Sequence, residues 1–272
     1  MMRTPDGKAP RALVTGASSG IGAAFARELA GRGCDLVLTA RREDRLRTLA
    51  DELHARHGID AQVIPADLAR PEAPALIAAE MARRGLTIDI LINNAGYGVP
   101  GDFLASDWQT HEDFMRVLMT APTEVCHRLL PAMRERGYGR IVNVASLAGL
   151  VPGTPRHTLY AAAKSYLVKF SQSLALENRA HGVHVCALCP GFTYSEFHDV
   201  TGARQKVSKM PGWMWMGADR VVREGVDAVE RGEIVYITGR INRLTRTLFK
   251  LLPDKLGLRV IARRAKHFRV EK

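Results

Sequence analysis

From residue 12 to residue 237, short runs of β-branched and apolar residues alternate with longer amphipathic stretches. This alternation narrows the architecture more than any other feature of the chain. Strands are expected at 12–15, 35–39, 61–65, 88–93, 140–145, 183–189 and 234–237, and helices at 21–32, 43–57, 72–84, 110–136, 158–181 and 218–231. Strands joined in sequence by helices pair in parallel, and right-handed crossovers wind them into an open sheet with helices on both faces. The expected fold class is therefore α/β, with a doubly wound parallel sheet of about seven strands whose ligands sit beyond the strands' carboxyl ends. A length of 272 residues, 46% of them hydrophobic, suits one such domain over 1–239.

Composition excludes several classes. Segment 1–10 carries charges and prolines in place of the apolar core of a signal peptide, and no run of about 18 apolar residues follows it. A cytoplasmic protein is expected. Cys34, Cys126, Cys186 and Cys189 are too few and too irregular for a disulfide framework. Cys186 and Cys189 form a CxxC, but on a strand residues three apart point to opposite faces, and no partner ligands accompany them, so no metal site is expected. Residues 240–272 hold eleven Lys or Arg against Asp254 and Glu271, a balance of +9 out of the chain's +11. The basicity thus belongs to a C-terminal extension, and with no base-reading motif no nucleic-acid partner is expected.

Residues 15–22 read TGASSGIG and lie between the first strand and the first helix. Gly16, Gly20 and Gly22 let backbone approach an anion, while first-turn N–H groups and the helix dipole stabilise its charge. A dinucleotide diphosphate would dock there, against Ser18, Ser19 and Ile21. Tyr160 and Lys164 are four apart on an expected helix and so share a face; they follow Ser146 by fourteen and eighteen residues. A phenol beside an ammonium and a bound nucleotide suits carbonyl reduction.

TGASSGIG, Asn93-Asn94-Ala95-Gly96, Ser146, Tyr160-x3-Lys164 and Pro190-Gly191, in that order, resemble the short-chain dehydrogenase/reductase superfamily over roughly residues 10–240. The resemblance implies a single-domain Rossmann-type fold, a nicotinamide dinucleotide and hydride exchange between an alcohol and a carbonyl. It implies that Tyr160 is the general acid, that Lys164 and the nicotinamide charge stabilise its anion, that Lys164 also binds the nicotinamide ribose, and that Ser146 orients the substrate oxygen. It further places Asp67 and Leu68 at the adenine, Asn94 beside a ribose, Asn93 as a brace between strands, and Pro190, Gly191, Thr193 and Ser195 along the nicotinamide carboxamide and the phosphates. Homodimers or homotetramers are common among such relatives.

The chain departs from the family pattern twice. The Ser146–Tyr160 interval is one residue longer than is common, an insertion that the proline-rich stretch 151–155 can absorb. Leu118 stands where many relatives carry an asparagine whose backbone holds a water linking the lysine to solvent; leucine keeps the carbonyl but cannot stabilise a helix distortion through its side chain. Two readings stand: an NADP(H)-dependent oxidoreductase, and a dinucleotide-binding sensor or partner protein with weakened turnover.

Cofactor choice is read after the second strand, where Arg41 and Arg42 follow and no acid stands to accept from a free ribose 2′-hydroxyl. NADP(H) is favoured over NAD(H); the alternative is that both arginines cap a solvated turn. In the expected substrate segment 196–217, Phe197, Met210, Trp213, Met214, Trp215 and Met216, with Phe192 and Tyr194 just before, form an adaptable apolar collection. It suits a lipophilic carbonyl such as a fatty-acyl, steroid-like or ring ketone, or packs a lid onto the core. In the extension, Leu244, Leu248, Leu251 and Leu252 fall within about 100° of one another on a helix, apart from Arg243, Arg246 and Lys250. That stripe either covers the core or a subunit contact, or lies on an anionic membrane.

Overall fold

The computed structural model describes residues 1–99, 101–194 and 212–267. The elements run β1 (Arg11–Thr15), α1 (Gly20–Gly31), β2 (Asp35–Thr39), α2 (Glu43–His57), β3 (Ala61–Val63), α3 (Ala73–Arg83), β4 (Ile90–Asn93), α4 (Trp108–Met115), α5 (Ala121–Glu135), β5 (Gly139–Val144), α6 (Thr158–Asn178), β6 (Val183–Cys189), β7 (Thr193–Tyr194), β8 (Met216–Gly217), α7 (Ala218–Glu230), β9 (Val235–Ile237), α8 (Arg240–Leu251) and α9 (Asp254–His267). Seven strands form one sheet in the order β3-β2-β1-β4-β5-β6-β9, every described pair parallel. The strand order reverses between β1 and β4, so their carboxyl ends open the crevice where a nucleotide binds in such sheets.

The strands are apolar on both faces because helices cover both. Along β1, Ala12 and Val14 pack with Phe25, Leu29, Leu53 and Val226 of the α1, α2 and α7 layer. Leu13 points the other way, into the layer holding Ile77, Phe114, Val125 and Met133. On the first face, a Cβ at Gly225 would lie 2.6 Å from Leu188 Cδ2, so the glycine sets how closely α7 rides on β6.

Strand and helix positions follow the expectations to within about three residues, with two informative differences. The helix expected over 110–136 is interrupted by a π turn at Arg116–Thr120, in which Ala121 N donates to Arg116 O. A short second sheet pairs Thr193 with Met216 and Tyr194 with Gly217, tying together the two ends of the expected substrate segment. Ser195, Phe197 and Met210 lie outside the described residues.

Candidate active site

The turn after β1 is fixed by sterics. Gly16 and Gly20 have φ of 66° and 55°, the left-handed region that side chains disfavour. A Cβ at Gly22 would lie 2.2 Å from Gly16 O, so α1 can start there only without a side chain. Asn94 Nδ2 donates to Thr15 O at 3.0 Å and Gly16 O at 3.3 Å, while the backbone N–H groups of Asn94 and Ala95 both donate to Thr15 Oγ1. Asn94 therefore sits beside the turn and holds its shape. The first turn of α1 carries no acid, and its N-cap, Ser19, makes no side-chain capping bond. A diphosphate fits this cradle, because the N–H groups that would meet it face no competing carboxylate.

Arg42, at the start of α2, donates to Ser18 Oγ at 3.1 Å and Ser19 Oγ at 2.9 Å, so its guanidinium is laid over the glycine turn, while Arg41 is exposed. Past β3, Asp67 Oδ1 accepts from Ala69 N at 3.1 Å, and Leu68 is buried. Ile21 packs against the core at the base of the turn.

Ser146 follows β5, with Oγ accepting from Ala148 N at 3.1 Å. Tyr160 and Lys164 stand in the first two turns of α6, and the Tyr160 hydroxyl is hydrogen-bonded with Ser146. Lys164, only 5% exposed, donates from Nζ to Val144 O at 2.7 Å and lies 5.7 Å from the Tyr160 ring centroid. Burial pushes the phenol up to about 12, against the Ser146 hydrogen bond, and brings Lys164 down to about 8. Both shifts favour the neutral forms, so a lysine above the phenol does not by itself acidify it; a neighbouring positive charge at the dinucleotide site would act against the burial. A Cβ at Gly149 would lie 2.6 Å from Lys164 C, so the 147–149 turn packs directly on the backbone of α6.

Leu118 meets Lys164 across Gly96: a Cβ there would be 3.6 Å from Leu118 Cγ and 3.8 Å from Lys164 Nζ. The helix distortion is present although residue 118 has no polar side chain. Pro122 has no N–H, so the Leu118 carbonyl lacks the donor four residues on that an unbroken helix would give it. One turn later, Thr123 Oγ1 donates to Met119 O at 2.7 Å and pairs with Tyr166 OH at 2.8 Å, joining the distorted segment to α6. The sequence signal for this site was Pro122, which the comparison with an asparagine-bearing pattern passed over.

Asn93 acts as a brace, donating from Nδ2 to Asn143 Oδ1 at 2.9 Å and Pro122 O at 3.2 Å. Asn143 continues the chain to Ser171 Oγ at 2.9 Å, a buried polar line that spacing alone did not reveal. The Pro190 carbonyl accepts from Leu147 N at 2.8 Å, and Thr193 Oγ1 donates to Gly191 O at 3.1 Å. Cys186 and Cys189 are buried thiols on β6, both pushed up to about 12 by burial, and the described residues contain no metal-holding cluster.

A cleft beside Tyr160 is lined by Val99, Phe103, His111, Phe114 and Leu159. All but Leu159 precede the expected substrate segment by about eighty to a hundred residues, and they were missed because their apolar periodicity reads as ordinary core. His111 stacks on Phe103 at 4.7 Å and bonds the Phe103 carbonyl through Nε2, leaving a buried Nδ1 without a partner. In the aromatic collection, Trp215 stacks on Tyr194 at 4.8 Å and packs on Phe192, whereas Trp213 is 64% exposed.

Residues 10–206 match the short chain dehydrogenase family. Nodulation protein G from a Rhizobium species is 37% identical over 237 residues, covering 85% of this chain and 93% of that protein. Among solved structures, a short-chain dehydrogenase from Sphingobium yanoikuyae in complex with NADPH shares 32% identity at a TM-score of 0.78, covering 90% of this chain and 96% of the other. A bulky-bulky ketone specific alcohol dehydrogenase from Comamonas testosteroni shares 29% identity at a TM-score of 0.74, covering 97% and 95%.

Proposed function

The chain belongs to the short-chain dehydrogenase family, and from that premise we propose that it is an NADP(H)-dependent oxidoreductase exchanging hydride with a lipophilic ketone or secondary alcohol. That it is an oxidoreductase of the CH–OH/C=O type follows from the family match and its dehydrogenase neighbours. The observation that carries the finer reading is the convergence of Ser146, Tyr160 and Lys164 beside the glycine turn, with Arg42 folded onto Ser18 and Ser19. A bound nicotinamide would supply or accept the hydride. Ser146 would hold the substrate oxygen, and Tyr160 would pass it a proton from a phenol that stays protonated through the neutral range. Lys164, pinned to Val144 O, would keep its charge beside the phenol as that proton leaves. Arg42 would pair with a 2′-phosphate, because β2 ends at Thr39 with no acid there to repel one.

The apolar lining from Val99 to Leu159 and the Trp215 stack support a bulky apolar substrate, as does the ketone named for the Comamonas neighbour. Gly16, Ser18, Ser19, Gly20, Ile21, Gly22, Asp67, Leu68, Asn94, Pro190, Gly191, Thr193 and Ser195 complete the proposed cofactor set. Leu118 does not favour the sensor reading, since the helix distortion that its side chain cannot stabilise is present nonetheless. Self-association is the remaining expectation; exposed Trp108 on α4 and Leu176 on α6 offer apolar contact for it.

NADPH absorbance decay is followed with ketones of graded bulk for the parent and Tyr160→Phe. We expect turnover to rise with apolar bulk and to drop roughly a hundred-fold or more in the variant, with NADPH binding kept. Full turnover by Tyr160→Phe would remove the phenol from the mechanism.

A further inference from the structure

We propose that the α8–α9 extension is a docking surface for an anionic phospholipid bilayer. The apolar stripe of α8 does not cover the core: Leu244, Leu248 and Leu251 are 60%, 55% and 76% exposed, and no residue of α8 is buried. The helix sits on the body by a different side. Asn242 presses on Gly191, where a Cβ would lie 2.5 Å from Asn242 Nδ2, and it donates to Thr238 O at 2.8 Å. Asn242, Thr245 and Phe249 share that half-buried side, about a third of a turn from the leucines. α9 adds exposed Leu256 and Leu258, and its Gly257 lies against Phe249 and against Pro152 of the 151–155 loop.

Charge identifies the occupant. Exposed Arg240, Lys250, Lys255 and Arg259 accompany the leucines, within a segment of +9 overall. A second copy placed on this face would bring two cationic segments within a Debye length of each other. A nucleic acid would leave the leucines in water. An anionic bilayer pairs with the cations through its headgroups and takes the leucines into the acyl boundary. No helix among the described residues is long and apolar enough to cross a membrane, so the chain would lie on the surface. Because the extension touches both Gly191 and the 151–155 loop, docking would place the loop that leads into α6 and Tyr160 next to the lipid.

The test is co-sedimentation of the full chain with vesicles of phosphatidylcholine alone, or of phosphatidylcholine with phosphatidylglycerol, at low and high salt. Two variants are compared, Leu244→Ser/Leu248→Ser/Leu251→Ser and Lys250→Glu/Lys255→Glu/Arg259→Glu, with mass in solution read by light scattering. We expect binding to the anionic vesicles only, weakened by salt, lost in the serine variant and reduced roughly a hundred-fold in the glutamate variant, with NADPH binding intact in both. No binding to anionic vesicles, equal binding to both vesicle types, or a fall in solution mass on changing the leucines would overturn the proposal; the last would assign the face to a second copy. Partition is read without turnover, so its failure leaves the dehydrogenase reading untouched.

Discussion

The glycine turn and the C-terminal extension are both proposed to meet anions, by opposite constructions. The turn spends three glycines, the Asn94 clamp and one guanidinium fixed by two serine hydroxyls on a single geometry. The extension spreads its cations along solvent-facing helices beside exposed leucines. An anion site with its backbone ordered in advance selects shape as well as charge, while a diffuse cationic rim selects only a charged surface with an apolar layer beneath it.

The hardest way to break that contrast is Gly22→Val. Its side chain must occupy space 2.2 Å from Gly16 O, so dinucleotide binding should vanish by fluorescence titration while vesicle partition persists. Retained NADPH affinity would show that the turn is not the rigid partner in the comparison.

Next comes Lys164→Met, expected to cost roughly a hundred-fold or more in turnover. It carries a pH signature. Burial lowers Lys164 from 10.5 to about 8, so between those values the unfolded chain binds a proton that the fold does not, and stability contributed by this site rises with pH across that window. The variant should therefore melt above the parent at pH 7, and the gap should close toward pH 10. Tyr160, raised from 10.0 to about 12, acts in the opposite sense only above about pH 10. A gap that is constant with pH would contradict a buried ammonium.

Arg42→Ala should weaken NADPH by roughly ten- to a hundred-fold and leave NADH nearly unchanged, read as the ratio of dissociation constants. Equal losses for both nucleotides would make Arg42 a brace for Ser18 and Ser19 only. The smallest effect is expected for Lys255→Gln: stability within about 0.5 kcal/mol of the parent by thermal melting, unchanged nucleotide affinity, and roughly five-fold weaker partition to anionic vesicles.

Much of this was legible in the chain itself. Apolar runs such as Leu36–Leu38 and Ile90–Ile92 read as strands because the sheet is covered on both faces, and Tyr160 lies against both Ser146 and Lys164. What stayed hidden depends on distance across the fold. The Asn93–Asn143–Ser171 line joins residues 50 and 28 positions apart. His111 and Phe103 line the cleft beside Tyr160 only once the fold brings α4 to α6. The exposure of Leu248 follows from the side on which Asn242 docks, which helix periodicity cannot choose. The direction of the Tyr160 shift was also out of reach, since it reflects how deeply the phenol is buried.

The π turn at Arg116–Thr120 has a consequence for the helix that follows it. One surplus residue in a regular helix would rotate every later side chain by about 100°; the widened turn takes it up and so works as a phase setter for α5. It is what aims Val125 and Cys126 inward, and it brings the Pro122 carbonyl to Asn93. Deleting a single residue from 116–120 would let an ordinary α turn carry the same inward stripe, keeping α5 in phase and removing only the distortion beside Lys164.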